Sequence, residues 1–402
     1  VAEPKPLMPL EQALQRLLEA AAAEPIQACE TVSLADGAGR VLAAGLQATS
    51  DLPPWPNSAM DGYALATQGW AGQALPISQR VFAGTAPGPL QPGTCARIFT
   101  GAPVPDGADC VEMQENVTLL ADGRVQFDQP LTPGQNIRPQ GQETRLGETV
   151  LPAGTRLGPI ELGLAATLGH GQLRVRRRPK VAVLSTGDEL VEPGQALGPG
   201  QIYNSNRRLL ISWLQRLGCE VIDVGILADD LALTRQCLEA CQQVDLILST
   251  GGVSVGEADF LGQALREGGE LSLWKLAIKP GKPLTFGRYL QVPVLGLPGN
   301  PASTLVTFAL LARPYLLRRL GCQQVAPLRL AVAAGFDWPV AGSRREFLRA
   351  RLEGDRAVIY PNQSSGVLRS AAWAQGLVEV PEGTTLRVGD SVRFIPLSEL
   401  LG

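Results

Sequence analysis

Five lysines stand against thirty arginines in this chain, and three of the five, Lys275, Lys279 and Lys282, fall within the eight residues KLAIKPGK. A lysine is a compact point charge on a flexible stem, suited to a tetrahedral oxyanion or a phosphate. Trp274, Leu276, Ile278 and two Pro-flanked turns predict an ordered loop here, rather than an edge strand whose lysines deter aggregation. Three glycine-bearing loops follow apolar runs: Ser185-Thr186-Gly187-Asp188-Glu189, Ser249-Thr250-Gly251-Gly252 and Leu297-Pro298-Gly299-Asn300-Pro301. Glycine lets a backbone approach an anion and take positive φ. The third loop leads into a helical pattern whose first N–H groups favour phosphate. None of the three is a Walker A or a GxGxxG sequence, so neither a P-loop NTPase nor a Rossmann dehydrogenase follows.

Acidic residues flank these loops: Asp188 and Glu189, then Asp229 and Asp230, then Asp259 at a helix start. Any one of them serves equally well as a helix cap. Together, carboxylates facing phosphate-like anions call for a cation, and hard oxygen donors select Mg²⁺. Two more segments read as turns first and sites second. One is PPWPNSAMDGYA at 53–64, containing Asp61; the other is FTGAPVP at 99–105, containing Thr100.

Composition removes several alternatives. The single histidine, His170, excludes multi-histidine zinc and iron sites. Seven scattered cysteines without a CxxC predict reduced, mostly buried thiols, as in a cytoplasmic protein. There is no apolar signal core near the start and no stretch of membrane-spanning length. The formal net charge of −3 is evenly spread, so no nucleic-acid surface is expected. The one basic knot, RVRRRPK at 174–180, reads as a solvated interdomain linker.

The elements that position these residues follow from the apolar patterning. Leucines at 10, 14, 17 and 18 predict an amphipathic helix stopped before Pro25. Short β-like pieces separated by turn signals run to about 150. From 180 the runs KVAVLST, CEVIDVG, VDLILST and VPVLGLP are apolar without alternation, as strands buried on both faces are. Helical patterns lie between them, so a doubly wound parallel α/β sheet is expected. Its ligands belong outside the carboxyl ends of the strands. After Pro327, five short strand-like runs are enough for a small barrel or sandwich. The expected division is 1–50 with 146–178 as a helical and linker domain, 51–145 as a β-rich lobe, 179–326 as the α/β domain and 327–402 as a β-barrel.

SAMDGYA at 58–64, TGAPVP at 100–105, STGDEL at 185–190, STGGVSVGEAD at 249–259, KLAIKPGKP at 275–283 and GLPGNPAS at 296–303 resemble, in order, the motifs of the MoeA family, which is related to the C-terminal domain of gephyrin. The resemblance implies a molybdopterin molybdenumtransferase that inserts molybdate into adenylylated molybdopterin, with loss of AMP. It implies Asp61, Thr100, Glu189, Lys275 and Lys279 as catalytic residues. Substrate contacts would come from Ser185, Thr186, Gly187, Gly251, Gly252, Ser254, Lys282, Pro298, Gly299, Asn300, Pro301, Arg349 and Ser370. Mg²⁺ would be held by Glu189, Asp259 and Asp229, with Asp230 beside the last as an alternative. A homodimer with the site at the subunit interface is also implied, as is contact with the adenylyltransferase of the same pathway. Glu257-Ala258-Asp259 departs from the Asp-Tyr-Asp of many relatives, and Gly141-Gln142-Glu143 from Gly-Glu-Asp. Two other readings are a molybdopterin adenylyltransferase, whose fold the α/β part resembles, and a non-catalytic molybdopterin-binding scaffold.

Overall fold

The structure, a computed structural model, describes residues 6–251 and 259–401. The chain forms two compact units. One comprises Val1–Ala44, Ala153–Gly158 and Leu173–Gly402; the other comprises Gly45–Pro152 and Pro159–Gln172.

In the second unit, strands β1 (Gly62–Leu65), β2 (Ile77–Val81), β3 (Cys95–Ile98) and β4 (Cys110–Met113) form a sheet in the order β2-β3-β1-β4. Gly62 sits where this sheet closes tightest. A Cβ there would stand 1.9 Å from the Glu112 carbonyl oxygen, a distance no side chain accepts. A short helix, Pro159–Thr167, belongs to this unit. His170 stays local as well, with Nε2 2.7 Å from the Gln47 carbonyl oxygen.

The first unit begins with α1 (Leu10–Ala23), whose buried face is Leu10, Ala13, Leu17 and Ala21, the spacing of one helical stripe. That stripe packs into the core of a six-stranded sheet. The strands are β5 (Lys180–Thr186), β6 (Glu220–Leu227), β7 (Leu246–Thr250), β8 (Gly269–Lys275), β9 (Pro283–Tyr289) and β10 (Val292–Leu297), in the order β6-β5-β7-β10-β9-β8. The first four in that order are parallel, and β9 and β8 are antiparallel additions. Alternate residues of β5 feed opposite cores. Val181 and Val183 pack with the helix Ser205–Arg216, while Ala182 and Leu184 pack with the helices Leu231–Ala240 and Phe260–Gly268. Both faces are covered, which is why these strands read as unbroken apolar runs.

Two expectations change here. Lys275 does end an edge strand, β8; the residues after it form the ordered connection back to Pro283 of β9. The basic stretch 174–180 is not a solvated linker. Gln172–Arg176 is a strand paired with Cys29–Ser33. Arg177 then grips Asp245 with two bonds of 2.7 and 2.8 Å. Burial pushes the Asp245 carboxyl up, but the Arg177 guanidinium and the Lys180 N–H outweigh it and hold it below the usual range. Arg176 and Arg178 bond to carbonyls, those of Gln27 and Gly218, each at 3.1 Å, while Arg174 stays exposed.

The last of the helical patterns, PASTLVTFALLARPYLLRRLG at 301–321, is interrupted. A π segment, Phe308–Ala312, joins Pro301–Thr307 to Arg313–Arg319 and leads into Pro314, which has no N–H for an α-type bond. Beyond it, β11 (Leu330–Ala334), β12 (Arg345–Glu353), β13 (Arg356–Ile359), β14 (Gly376–Val380) and β15 (Ser391–Pro396) close a five-stranded barrel in the order β12-β13-β11-β15-β14 and back to β12. Among the described residues no helix is long and apolar enough to cross a membrane.

Candidate active site

A cleft of about 440 Å³ opens beyond the carboxyl ends of β5, β7 and β10, and residues of all three glycine loops line it: Thr186 and Glu189, Thr250 and Gly251, Gly299, Asn300 and Pro301. Gly251 has φ +85°, and a Cβ there would lie 2.7 Å from the Thr186 carbonyl oxygen, so the first two loops touch only because that side chain is missing. Gly187, at φ +138°, lies under the Glu189 carboxylate. Gly252 and Ser254 lie outside the described residues.

The floor of the cleft is polar. Asn206 Nδ2 donates to Thr250 Oγ1 at 2.9 Å and to the Gly299 carbonyl at 2.6 Å, tying the second and third loops together. A carbonyl only accepts, so this contact fixes which end of the Asn206 amide faces the loops. Asn204 Oδ1 accepts from the Arg207 N–H at 3.3 Å and from Ser185 Oγ at 3.4 Å. Among the described residues, Thr186 Oγ1, Ser249 Oγ, Asn204 Nδ2 and Asn206 Oδ1 are buried without a partner. Such atoms in a native core mark a place where a polar group completes the bonding. Pro298 stands behind the cleft, its carbonyl taken by Thr304 Oγ1 at 2.6 Å.

The carboxylates divide by duty. Asp230 caps Leu231–Ala240 through the Leu233 N–H at 2.8 Å, and Asp259 caps Phe260–Gly268 through the Gly262 N–H at 2.8 Å. Asp229 caps nothing; its N–H donates to Asp188 Oδ1 at 3.1 Å. Burial, then the charges of Asp188 and Glu189, push its carboxyl above the usual range. A hard cation would relieve that crowding, so the donor set suits Mg²⁺ in chemistry. Among the described residues, no three Asp, Glu, His or Cys side chains gather into a metal-holding group.

The lysines lie on the connection from β8 to β9 and its ends. Met8 brackets this segment, donating its N–H to the Lys275 carbonyl at 2.7 Å and accepting from the Ala277 N–H at 2.8 Å. Lys275, Lys279 and Lys282 are all exposed. Lys279 lies on a two-residue strand, Ile278–Lys279, that runs parallel to β12 of the barrel.

Arg349 and Ser370 are brought together in the barrel. Arg349, 1% exposed, donates from Nε to Ser370 Oγ at 3.1 Å and to the carbonyls of Phe347 and Ser364, each at 3.2 Å. These partners are neutral, and burial lowers the guanidinium to about 10. The Ser364 turn runs on to Ser365, whose carbonyl accepts from the Ala302 N–H at 2.9 Å, and to Gly366, which borders the cleft. The buried cation therefore stands behind the cleft's barrel-side rim.

In the second unit, Asp61 Oδ1 accepts from the Thr100 N–H at 2.7 Å and from its hydroxyl at 2.8 Å. The backbone bond first and the hydroxyl second hold the Asp61 carboxyl below the usual range. Reasoning from sequence overlooks Asn204 and Asn206 as site residues, and Glu346 entirely; Asp188 it names only among the flanking carboxylates. The signal available for the first two was N-S-N directly after the strand-like QIY, polar residues at the entry to a buried helix.

Three family models match the chain: the MoeA N-terminal region (domain I and II) over 8–169, a probable molybdopterin binding domain over 182–318 and the MoeA C-terminal region (domain IV) over 331–397. The molybdopterin molybdenumtransferase of Haemophilus influenzae is 38% identical, covering 98% of this chain and 100% of the relative. Molybdopterin molybdenumtransferase 2 of Mycobacterium tuberculosis is also 38% identical, over 92% and 97%. A crystal structure of the molybdopterin biosynthesis MoeA protein from Pyrococcus horikoshii OT3 superposes with a TM-score of 0.83 at 29% identity, covering 97% of this chain and all of that one. With a cleft lined by three of the expected motifs, and with these matches along the chain, this chain belongs to the MoeA family of molybdopterin molybdenumtransferases.

Proposed function

We propose that the chain inserts molybdate into the dithiolene of adenylylated molybdopterin, with release of AMP, to give molybdenum cofactor. The observation that carries this reading is the cleft at the carboxyl ends of β5, β7 and β10, with a polar floor and a lysine-bearing segment in the same unit. The step exchanges oxyanion ligands for dithiolene sulfurs and cleaves a phosphoanhydride, so anionic charge must be matched at both centres. Lys275 and Lys279 supply point charges for oxyanion and phosphate oxygens. Ser185, Thr186, Gly187, Gly251 and the 298–301 loop, with Lys282, shape the substrate's bed. Arg349 and Ser370 add a desolvated cation and a hydroxyl behind the rim.

Mg²⁺, when bound, neutralises phosphate charge. Glu189 and Asp229 would hold it; Asp259, bound to the Gly262 N–H as a helix cap, does not gather with them into one group. We further propose a cytoplasmic homodimer in which Asp61 and Thr100 of one subunit serve the α/β cleft of the other, and a transfer contact with the adenylyltransferase that makes the substrate. Division into the four domains expected from sequence goes with this reading.

The deciding experiment incubates the protein with adenylylated molybdopterin, Mg²⁺ and molybdate. AMP release coupled to cofactor formation is the expected result. ATP consumption with unadenylylated molybdopterin would identify the earlier enzyme instead, and binding without turnover a scaffold. For the dimer, inactive Asp61→Ala and Lys275→Ala chains are mixed, and regained activity is expected only if the two residues act across subunits.

A further inference from the structure

The three lysines are not equivalent. Lys279 Nζ lies 3.0 Å from Glu346 Oε2, with the Glu346 side chain 7% exposed and that of Lys279 51%. The two residues are also register partners where Ile278–Lys279 runs beside β12. The carboxylate is thus the buried member of the pair and the ammonium the solvent-facing one. Glu346 folds over Gly342, where a Cβ would stand 2.8 Å from Oε1. Neighbouring cations are engaged elsewhere: Arg345 with Glu11, Glu379 and Glu382, and Arg344 with the Ile278 carbonyl. Among the described residues, neither Lys275 nor Lys282 pairs with a carboxylate as Lys279 does.

We propose that Glu346 is a positioning residue for metal insertion: it holds the Lys279 ammonium in place and is exchanged for the oxyanion when molybdate binds. The inference rests on reading Lys279 as an oxyanion ligand. A buried carboxylate is costly to leave unpaired, so Glu346 draws Lys279 back each time the anion departs. Affinity is therefore held down by an internal competitor, while Lys275 and Lys282 attract without one. Removing the competitor's charge while keeping its shape must tighten oxyanion binding.

The test is equilibrium dialysis of molybdate against the full chain, beside steady-state cofactor formation. Glu346→Gln keeps an acceptor oxygen at the same place, and its molybdate half-saturation is expected to fall about two- to fivefold, the range of a half-exposed ion pair. Its kcat should fall too, because an oxyanion held more tightly in the ground state is harder to hand on to the dithiolene; a merely structural lesion would weaken binding instead. Gly342→Ala, which moves the carboxylate without removing it, is expected to shift dialysis the same way and serves if Glu346→Gln does not fold. In a Lys279→Met background neither change should alter binding. Unchanged or weaker molybdate binding by both single variants, each folded by circular dichroism, overturns the proposal. Wild-type protein that binds no molybdate defeats the oxyanion reading itself, and this inference with it.

Discussion

Asp61 takes both of its short hydrogen bonds from one residue, Thr100, through the backbone N–H at 2.7 Å and the hydroxyl at 2.8 Å. The two ends of the second unit's conspicuous motifs, SAMDGYA and TGAPVP, thus meet at a single carboxylate oxygen. Because these bonds favour the ionised form, the folded-state pKa lies below the unfolded one. The stabilising contribution is present above the unfolded pKa and disappears as pH falls through the folded value.

Thr100→Ala removes the hydroxyl and leaves the N–H. The Asp61 carboxyl should then titrate closer to its ordinary value without reaching it, as followed by carboxyl-carbon NMR. An unaltered titration would show that the hydroxyl bond carries nothing. Molybdenum insertion should fall in the same variant if Asp61 is held ready by Thr100.

Asp229 has the opposite sign. Burial and the charges of Asp188 and Glu189 raise its pKa, so folding disfavours the ionised form. The cost is absent below the unfolded pKa and complete above the folded one. Asp188→Asn keeps the acceptor for the Asp229 N–H while removing a like charge. Stability at neutral pH should rise by about 0.5 kcal/mol or less, since these groups are largely solvated. Chemical denaturation gives the number, and a loss of stability would contradict the crowding argument. Added Mg²⁺ should lower the Asp229 titration midpoint in the wild type and do so less in the variant.

Asn206 joins two loops through one amide. Asn206→Ala leaves Thr250 and Gly299 without their donor and should cost about 1–3 kcal/mol. Asn206→Asp should be worse, because it sets an acceptor against the Gly299 carbonyl. The expected kinetic signature is a raised KM for adenylylated molybdopterin with the KM for molybdate little changed. Equal effects on both would place Asn206 outside substrate recognition.

Gly62→Ala inserts a methyl group where the Glu112 carbonyl already stands. The strand must shift, at about 1–3 kcal/mol or more for such overpacking. A thermal melt should show the loss, and a melt matching wild type would mean that the β1–β4 contact relaxes freely.

Much of the fold was legible because burial on both faces leaves a plain signature. Val181 to Leu184 feed two cores alternately, so every position must be apolar, and the run stands out. The five barrel strands announce themselves by turn residues at regular spacing. β8 and β9 do not: GELSLWK lies at the sheet edge and carries charge, and PLTFGRY is broken by Gly287, where a Cβ would stand 2.3 Å from the Glu270 carbonyl oxygen. Motif residues such as Gly251 and Asp61 were readable because their types are unusual where they stand. Glu346 was not, since its role depends on a pairing across 67 positions that only the folded register supplies. The basic stretch 174–180 misleads for the same reason. Arg177 finds Asp245 only after β5 and β7 lie side by side.

Met8 sits at the start of the described chain, yet its two backbone bonds grip the segment between Lys275 and Ala277. Loss of Met8 would therefore act on the lysine segment as directly as a point mutation there, by removing both of those bonds at once.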